Sequence, residues 1–256
     1  MKLARRYVEK PWGREQLPAA FDAPDGKTIG EMWFESPAGL PLLAKYLFTG
    51  ETLSVQVHPD DAQARAMGLP GGKSECWYVL EAEPGAAIGL GLRQEMSADQ
   101  LRGAALDGSI EQLLDWREVE ARDFYFVPAG TIHAIGAGLT LLEFQQNSDV
   151  TFRLYDYARP RELHLDKAIQ VAKRGPYSEP VQHVAANEER VLVDGHAFTL
   201  VLSRGDALGD RRRWVLPLDG TVRSGGDIAG AGECLLLDPG ERLESDGAWV
   251  LTGAKA

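Results

Sequence analysis

The chain has 256 residues, 44% of them hydrophobic, which is enough to build one large domain or two modest ones. Acidic residues outnumber basic ones 38 to 27, and the net charge of −11 argues against general nucleic-acid or anionic-membrane binding, so that an anionic substrate would need a local cluster of Arg and Lys. The two cysteines, Cys76 and Cys234, are too far apart for a metal-ligand spacing, and no apolar run approaches signal-peptide or membrane-span length, so a soluble cytoplasmic protein is expected.

Fourteen Pro and twenty-eight Gly predict many turns between short strands. Residues 7 to 50 read as such strands, broken at Lys10-Pro11-Trp12-Gly13 and Asp25-Gly26-Lys27, with Trp12, Trp33 and Phe34 as packing residues. A strand over 51 to 58 carries Ser54, Gln56 and His58 on one face and Leu53, Val55 and Val57 on the other. Asp60 and Asp61 then start a short helix that Gly68 ends. After Gly71-Gly72, a strand over 73 to 80 places Lys73, Glu75, Trp77 and Val79 on one face, and 88 to 92 continues the sheet.

Two helices are predicted next, since Ser97 precedes Gln100 and Ser109 precedes Gln112 at capping-box spacing. Strands resume at 123 to 128 and 131 to 135, the second carrying His133 between Thr131 and Ile135. Glu143 and Gln145 share a face of a strand over 139 to 145, and Arg153 shares one with Thr151 and Tyr155. A helix over 166 to 173 precedes a linker, residues 176–189. Strands at 190–193, 197–203, 213–217, 232–237 and 248–251 make a smaller C-terminal β-domain, residues 190–256, without metal ligands, whose segment 232–240 resembles 121–129.

Helices grouped in an insertion, about 97–120, rather than alternating with strands, predict a mainly β sandwich or jelly roll, with residues 1–175 as its N-terminal unit. In a small barrel alternate residues wall the lumen, so ligands at i and i+2 reach a central metal. Gln56 and His58 have that spacing, and neighbouring strands can supply Glu75 and His133. Two imidazoles, a carboxylate and an amide oxygen suit one divalent metal, zinc above all, with a position left for water or substrate.

Six segments in order carry a resemblance: Lys-Pro-Trp-Gly at 10–13, Ile-Gly-Glu-Met-Trp at 29–33, Leu-Ser-Val-Gln-Val-His-Pro-Asp-Asp at 53–61, Lys-Ser-Glu-Cys-Trp-Tyr-Val-Leu at 73–80, Val-Pro-Ala-Gly-Thr-Ile-His-Ala at 127–134 and Asp-Val-Thr-Phe-Arg-Leu-Tyr-Asp-Tyr at 149–157. Together they resemble the class I mannose-6-phosphate isomerases in their short bacterial form, over most of residues 7–173. The resemblance implies two cupin-type jelly-roll β-barrels with a short helical insertion, a zinc site at His58, Glu75 and His133 with Gln56 as fourth ligand, and a phosphorylated hexose as substrate. It makes Arg153 the active-site arginine and sets Ser54, Lys73 and Glu143 around the pocket. Arg159 stands where longer members have a lysine, and as a cation it is expected to bind the substrate phosphate, with Ser54 also on the substrate. His164, His183 and His196 fall outside the matching segments and are expected to be structural or surface residues.

Moving a carbonyl from C1 to C2 of a sugar passes through an enediolate, which Arg153 could stabilise while Glu143 or Lys73 shuttles the proton. Two other functions use a similar site: a non-catalytic sugar-binding cupin, and an iron-dependent oxygenase, which Gln56 argues against because a fourth protein ligand would occupy a position needed for oxygen.

Overall fold

The computed structural model describes residues 1–22, 24–185 and 188–256, so that 186 and 187 of the expected linker lie outside the described residues. It is mainly β, as expected, with sheets of seven, five, five and three strands and four short helices among the described residues. Strands Ala4–Arg14, Ile29–Glu35, Leu42–Thr49, Leu139–Gln146, Glu75–Ala82, Asp123–Val127 and Gln182–His183 form the largest sheet in that spatial order. Opposite it stands a five-stranded sheet of Phe152–Tyr155, Val55–Val57, His133–Ile135, Ala87–Leu92 and Leu114–Glu118. Every pairing between strands of these two sheets is antiparallel.

The seven-stranded sheet is covered on both faces, which explains why Leu42–Thr49 is buried along its whole length and Leu139–Gln146 for all but its last residue. Side chains on one face, among them Leu47, Trp77, Val79, Leu139 and Leu141, pack with Ile88, Leu90 and Ile135 of the opposite sheet. On the other face Tyr46, Phe48, Cys76, Leu142 and Phe144 pack against Phe198, Leu200, Leu202, Trp214 and Leu251 from the C-terminal strands. Phe144 meets Phe198 edge-on at 5.3 Å and Trp214 at 6.1 Å. Gly253 crosses that ring so closely that a Cβ there would lie 2.3 Å from Phe144, so only glycine fits.

The C-terminal residues form a five-stranded sheet, Arg190–Asp194, Phe198–Ser203, Val250–Lys255, Arg213–Pro217 and Leu235–Leu237, with a three-stranded sheet of Asp227–Gly230, Thr221–Ser224 and Glu244–Ser245. Val215, Leu235, Leu237 and Val250 from the first meet Val222 and Ala229 from the second in a wholly apolar cluster. The hairpin Thr221–Gly230 was not expected from the sequence, although Gly225 and Gly226, both at positive φ, are the signal for its turn. Strand Leu114–Glu118 was likewise missed, and Ala87–Leu92 lies in the opposite sheet rather than extending that of Glu75–Ala82.

The helix predictions divide. Asp61–Ala66 is capped by Asp60 with Gln63 completing a reciprocal box, and Ser97 with Gln100 does the same for Ala98–Asp107. Ser109 does not cap: its backbone is helical, and its N–H donates to Asp107 Oδ1 after the αL residue Gly108 has ended the previous helix. Leu101, Ala104, Ala105 and Ile110 bury the insertion against Leu154, Ala168 and Ile169, the last two from the helix Leu165–Val171.

Candidate active site

Between the two N-terminal sheets the apolar packing gives way, towards one end, to a cavity of about 280 Å³ walled mostly by polar groups. Strand alternation puts them there. Lys45 and Glu143 are cross-strand partners, Glu143 also faces Trp77, and Gln145 pairs with Glu75, so one face of three adjacent strands carries Lys45, Glu143 and Glu75. From the opposite sheet Gln56 pairs with His133 on one side and Arg153 on the other. Strand parity therefore brings together residues up to about 100 positions apart.

Three carboxylates and three ammoniums alternate along the wall. Lys10 Nζ lies 3.1 Å from Glu31, Lys45 Nζ lies 3.4 Å from Glu31 and 3.1 Å from Glu143, and Lys73 Nζ lies 3.4 Å from Glu143 and 2.7 Å from Glu75. Alternation is what makes the burial of so many charges tolerable, since each is flanked by the opposite sign. Burial alone would raise the Glu31 carboxyl, but Lys45 and Lys10 together with the Trp33 indole N–H bring it down to about 2. Burial would discharge Lys45, yet Glu143 and Glu31 hold it protonated. Glu143 goes the other way: burial and the neighbouring Glu75 push it up to about 7 against Lys45 and Lys73.

At the inner end His58 and His133 stand in contact with Glu75. His58 Nδ1 lies 2.7 Å from the Val150 carbonyl oxygen and His133 Nδ1 2.9 Å from that of Thr131, so each Nδ1 carries the proton and donates it to backbone. Both Nε2 atoms are thereby left as lone-pair donors, 3.5 and 3.3 Å from Glu75 Oε1. Burial, with the nearby Lys73 ammonium, keeps both imidazoles neutral, His58 down to about 3. Glu75, which burial would raise, is held well below the usual carboxylate range, chiefly by Lys73.

Two imidazole lone pairs and a carboxylate oxygen lie within 4.8 Å of one another, with the Lys73 ammonium 3.5 Å from His58 Nε2, and make a donor set of the kind that binds a divalent cation. Glu75 Oε2 and Glu143 Oε1 lie 2.7 and 3.1 Å from the Lys73 and Lys45 ammoniums. The residues fit a divalent metal. Gln56 turns its amide nitrogen to His133 Nε2 at 3.2 Å and accepts from the Ser54 hydroxyl at 3.0 Å through Oε1, so its oxygen would have to exchange places with the nitrogen to become a ligand.

No family model matches the chain. A mannose-6-phosphate isomerase of Streptococcus mutans is 45% identical over 169 residues, 62% of this chain and 53% of that protein. One from Bacillus subtilis is 40% identical over 179 residues, 64% of this chain and 56% of its own. The chain spans about half the length of the curated relatives it matches. Among solved structures, the mannose 6-phosphate isomerase from Bacillus subtilis superposes with a TM-score of 0.84 at 26% identity, covering 98% of each chain. The chain is a homologue of the mannose-6-phosphate isomerases. A mutant of phosphomannose isomerase from Salmonella typhimurium shares the fold, with a TM-score of 0.74 at 14% identity over 100% of this chain and 99% of that one.

Of the positions nominated by resemblance to the mannose-6-phosphate isomerases, Ser54, Gln56, Lys73, Glu75, Glu143 and Arg153 line the one cavity, with His58 and His133 behind them. Arg159 is not in that wall: it donates to Glu51 and the Thr52 carbonyl oxygen and pairs with Asp156. Tyr155, expected to share a face with Arg153, is turned out of the cavity by a register shift between the two against Val55–Val57.

The sequence reading missed Lys10, Glu31, Lys45, Arg161 and His164 as cavity residues. Trp12, expected only to pack, both packs and lines the cavity. A lone lysine inside Leu-Leu-Ala-Lys-Tyr-Leu-Phe was the available signal for Lys45, since an ammonium in a strand buried on both faces needs a partner. His164 exchanges bonds with the backbone of Arg153: its N–H donates to the Arg153 carbonyl oxygen at 2.8 Å and its Nδ1 accepts the Arg153 N–H at 3.2 Å.

Proposed function

We propose that the chain is a zinc-dependent aldose-ketose isomerase interconverting mannose 6-phosphate and fructose 6-phosphate. The observation that carries this reading is the meeting, in one cavity, of neutral His58 and His133 and the ionised Glu75 with the Lys73–Glu143 pair and the Arg153 guanidinium. The names and similarity of the relatives support it. Retention of Lys73, Glu143 and Arg153 beside the donor set favours an isomerase over a module that only binds sugar.

His58, Glu75 and His133 would hold the metal, with Gln56 as fourth ligand, and when bound it supplies a fixed positive charge that polarises or orients the sugar oxygens. The chain's own groups account for the rest. Lys73 Nζ and Glu143 Oε1, 3.4 Å apart, are the groups able to take a proton from one sugar carbon and return it to the other. Lys45, on the far side of Glu143, fixes that carboxylate by charge, and the Trp77 indole donates to its Oε2 at 3.2 Å. Arg153 stabilises negative charge developing on the enediolate oxygens, and Ser54 orients Gln56.

In this reading residues 1–175 form the catalytic unit and residues 190–256 an apolar support without metal ligands. Two free, buried cysteines accord with a cytoplasmic setting. The test is purified protein with zinc and mannose 6-phosphate, following fructose 6-phosphate alongside metal content. Conversion with about one zinc per chain is expected. Absence of turnover, or tight iron with no zinc-supported activity, would refute the proposal.

A further inference from the structure

The segment that follows Arg153 folds back on itself to bring a second guanidinium to the cavity. Tyr157 and Ala158, neither of them glycine, both sit in the left-handed region with φ of 53° and 58°. L-residues enter that region against steric resistance, and two in succession persist only when the surroundings impose them. Here the imposing contact is Asp156, which is buried and takes both Arg159 and Arg161. The Arg161 fork grips it side-on, Nε to Oδ2 at 2.6 Å and Nη2 to Oδ1 at 2.5 Å.

That grip uses one edge of the guanidinium. Nη1 of Arg161 has no protein acceptor among the described residues, and Arg161 lines the cavity together with Arg153 and His164. Arg153 has no carboxylate within ion-pair distance among the described residues, and its Nε is buried without a partner. Accepting the Arg153 N–H at Nδ1 makes the proton of a neutral His164 reside on Nε2, so this third residue is also a donor. An unpaired Arg153, the free Nη1 edge of Arg161 and the His164 Nε2 donor together describe a receiver for a compact anion with several oxygens.

We propose that Arg161, held by Asp156 and set beside Arg153 and His164, is the residue that selects a phosphorylated over an unphosphorylated sugar, and that Arg159 has no part in this. Asp156 is its positioning residue. The proposal rests on the isomerase reading for the identity of the sugar but not for the anion site itself. Arg159 is committed elsewhere, to Glu51, the Thr52 carbonyl oxygen and Asp156, outside the cavity wall.

Inorganic phosphate is the probe, titrated calorimetrically into zinc-loaded wild type, Arg161→Met, Arg161→Lys, Asp156→Asn and Arg159→Met, with thermal melts of each. Arg161→Met should lose phosphate affinity by about tenfold or more, and Asp156→Asn by about threefold, while Arg159→Met stays within about twofold of wild type. With mannose 6-phosphate, Arg161→Met should raise KM by about tenfold and hold kcat within about threefold. If Arg161→Met fails to fold, Arg161→Lys keeps the charge but not the fork and should still weaken phosphate. Unchanged phosphate affinity in a folded Arg161 variant, or its loss in Arg159→Met, overturns the proposal. If wild type shows no isomerase activity but Arg161→Met still loses phosphate, the anion site stands and the isomerase reading falls.

Discussion

The N-terminal pair of sheets and the C-terminal pair solve the same packing problem with opposite contents. Both enclose an interior between antiparallel sheets, and both bury their strands deeply. The C-terminal interior has an apolar cluster of Val215, Val222, Leu235, Leu237 and Val250, and the one buried charge among its described residues, Arg213, is held by Asp206 and the Glu241 carbonyl oxygen. The N-terminal interior is apolar at one end and at the other holds Glu31, Lys45, His58, Lys73, Glu75, His133 and Glu143, all buried. Buried charge costs stability unless paired, so its concentration in one of two otherwise similar interiors marks the place where chemistry is done.

The largest effect expected is loss of the metal site. His133→Ala or His58→Ala should lose bound zinc and activity together, read by metal analysis and turnover on the same sample. If either keeps stoichiometric zinc, the donor set is misassigned. Arg153→Ala should separate the two readouts, keeping zinc while kcat falls on the order of 10²–10³-fold. The opposite separation is expected in the other region. Trp214→Ala, which vacates the packing beneath Phe144, should cost about 3–5 kcal/mol in denaturant unfolding and leave zinc stoichiometry and kcat per folded molecule unchanged.

The smallest effect concerns pH. Glu31 is held at about 2, below its ordinary value of 4.5, so its contribution to stability is fully present above pH 4.5 and is lost as pH falls towards 2. Unfolding curves between pH 2 and 6 should therefore flatten in Glu31→Gln relative to wild type. An identical slope in both proteins would mean that the Lys10–Glu31–Lys45 contacts add nothing.

Much of the N-terminal region was legible because strand alternation is a local property. Ser54, Gln56 and His58 share a face by parity, and so do Lys73 and Glu75, whichever sheets they join. What parity leaves open is which face looks into a cavity when both are buried. Lys45 shows this: its strand is covered on both sides, and only the pairing with Glu143 reveals the lysine as part of the charged wall. The capping boxes divide for a related reason. Ser97 follows an open loop, whereas Ser109 directly follows the αL residue that ends the preceding helix and has no extended backbone from which to cap.

The sequence by itself determined the mainly β class, the parity of the donor residues and the residue types able to carry metal and proton chemistry, since these follow from periodicity and side-chain chemistry within a few residues. Only the tertiary structure decided that Arg161 and His164 reach the cavity while Arg159 turns to Glu51. That outcome hangs on two left-handed residues and one buried carboxylate, and on strand registers joining positions up to about 100 residues apart, neither of which local propensity specifies.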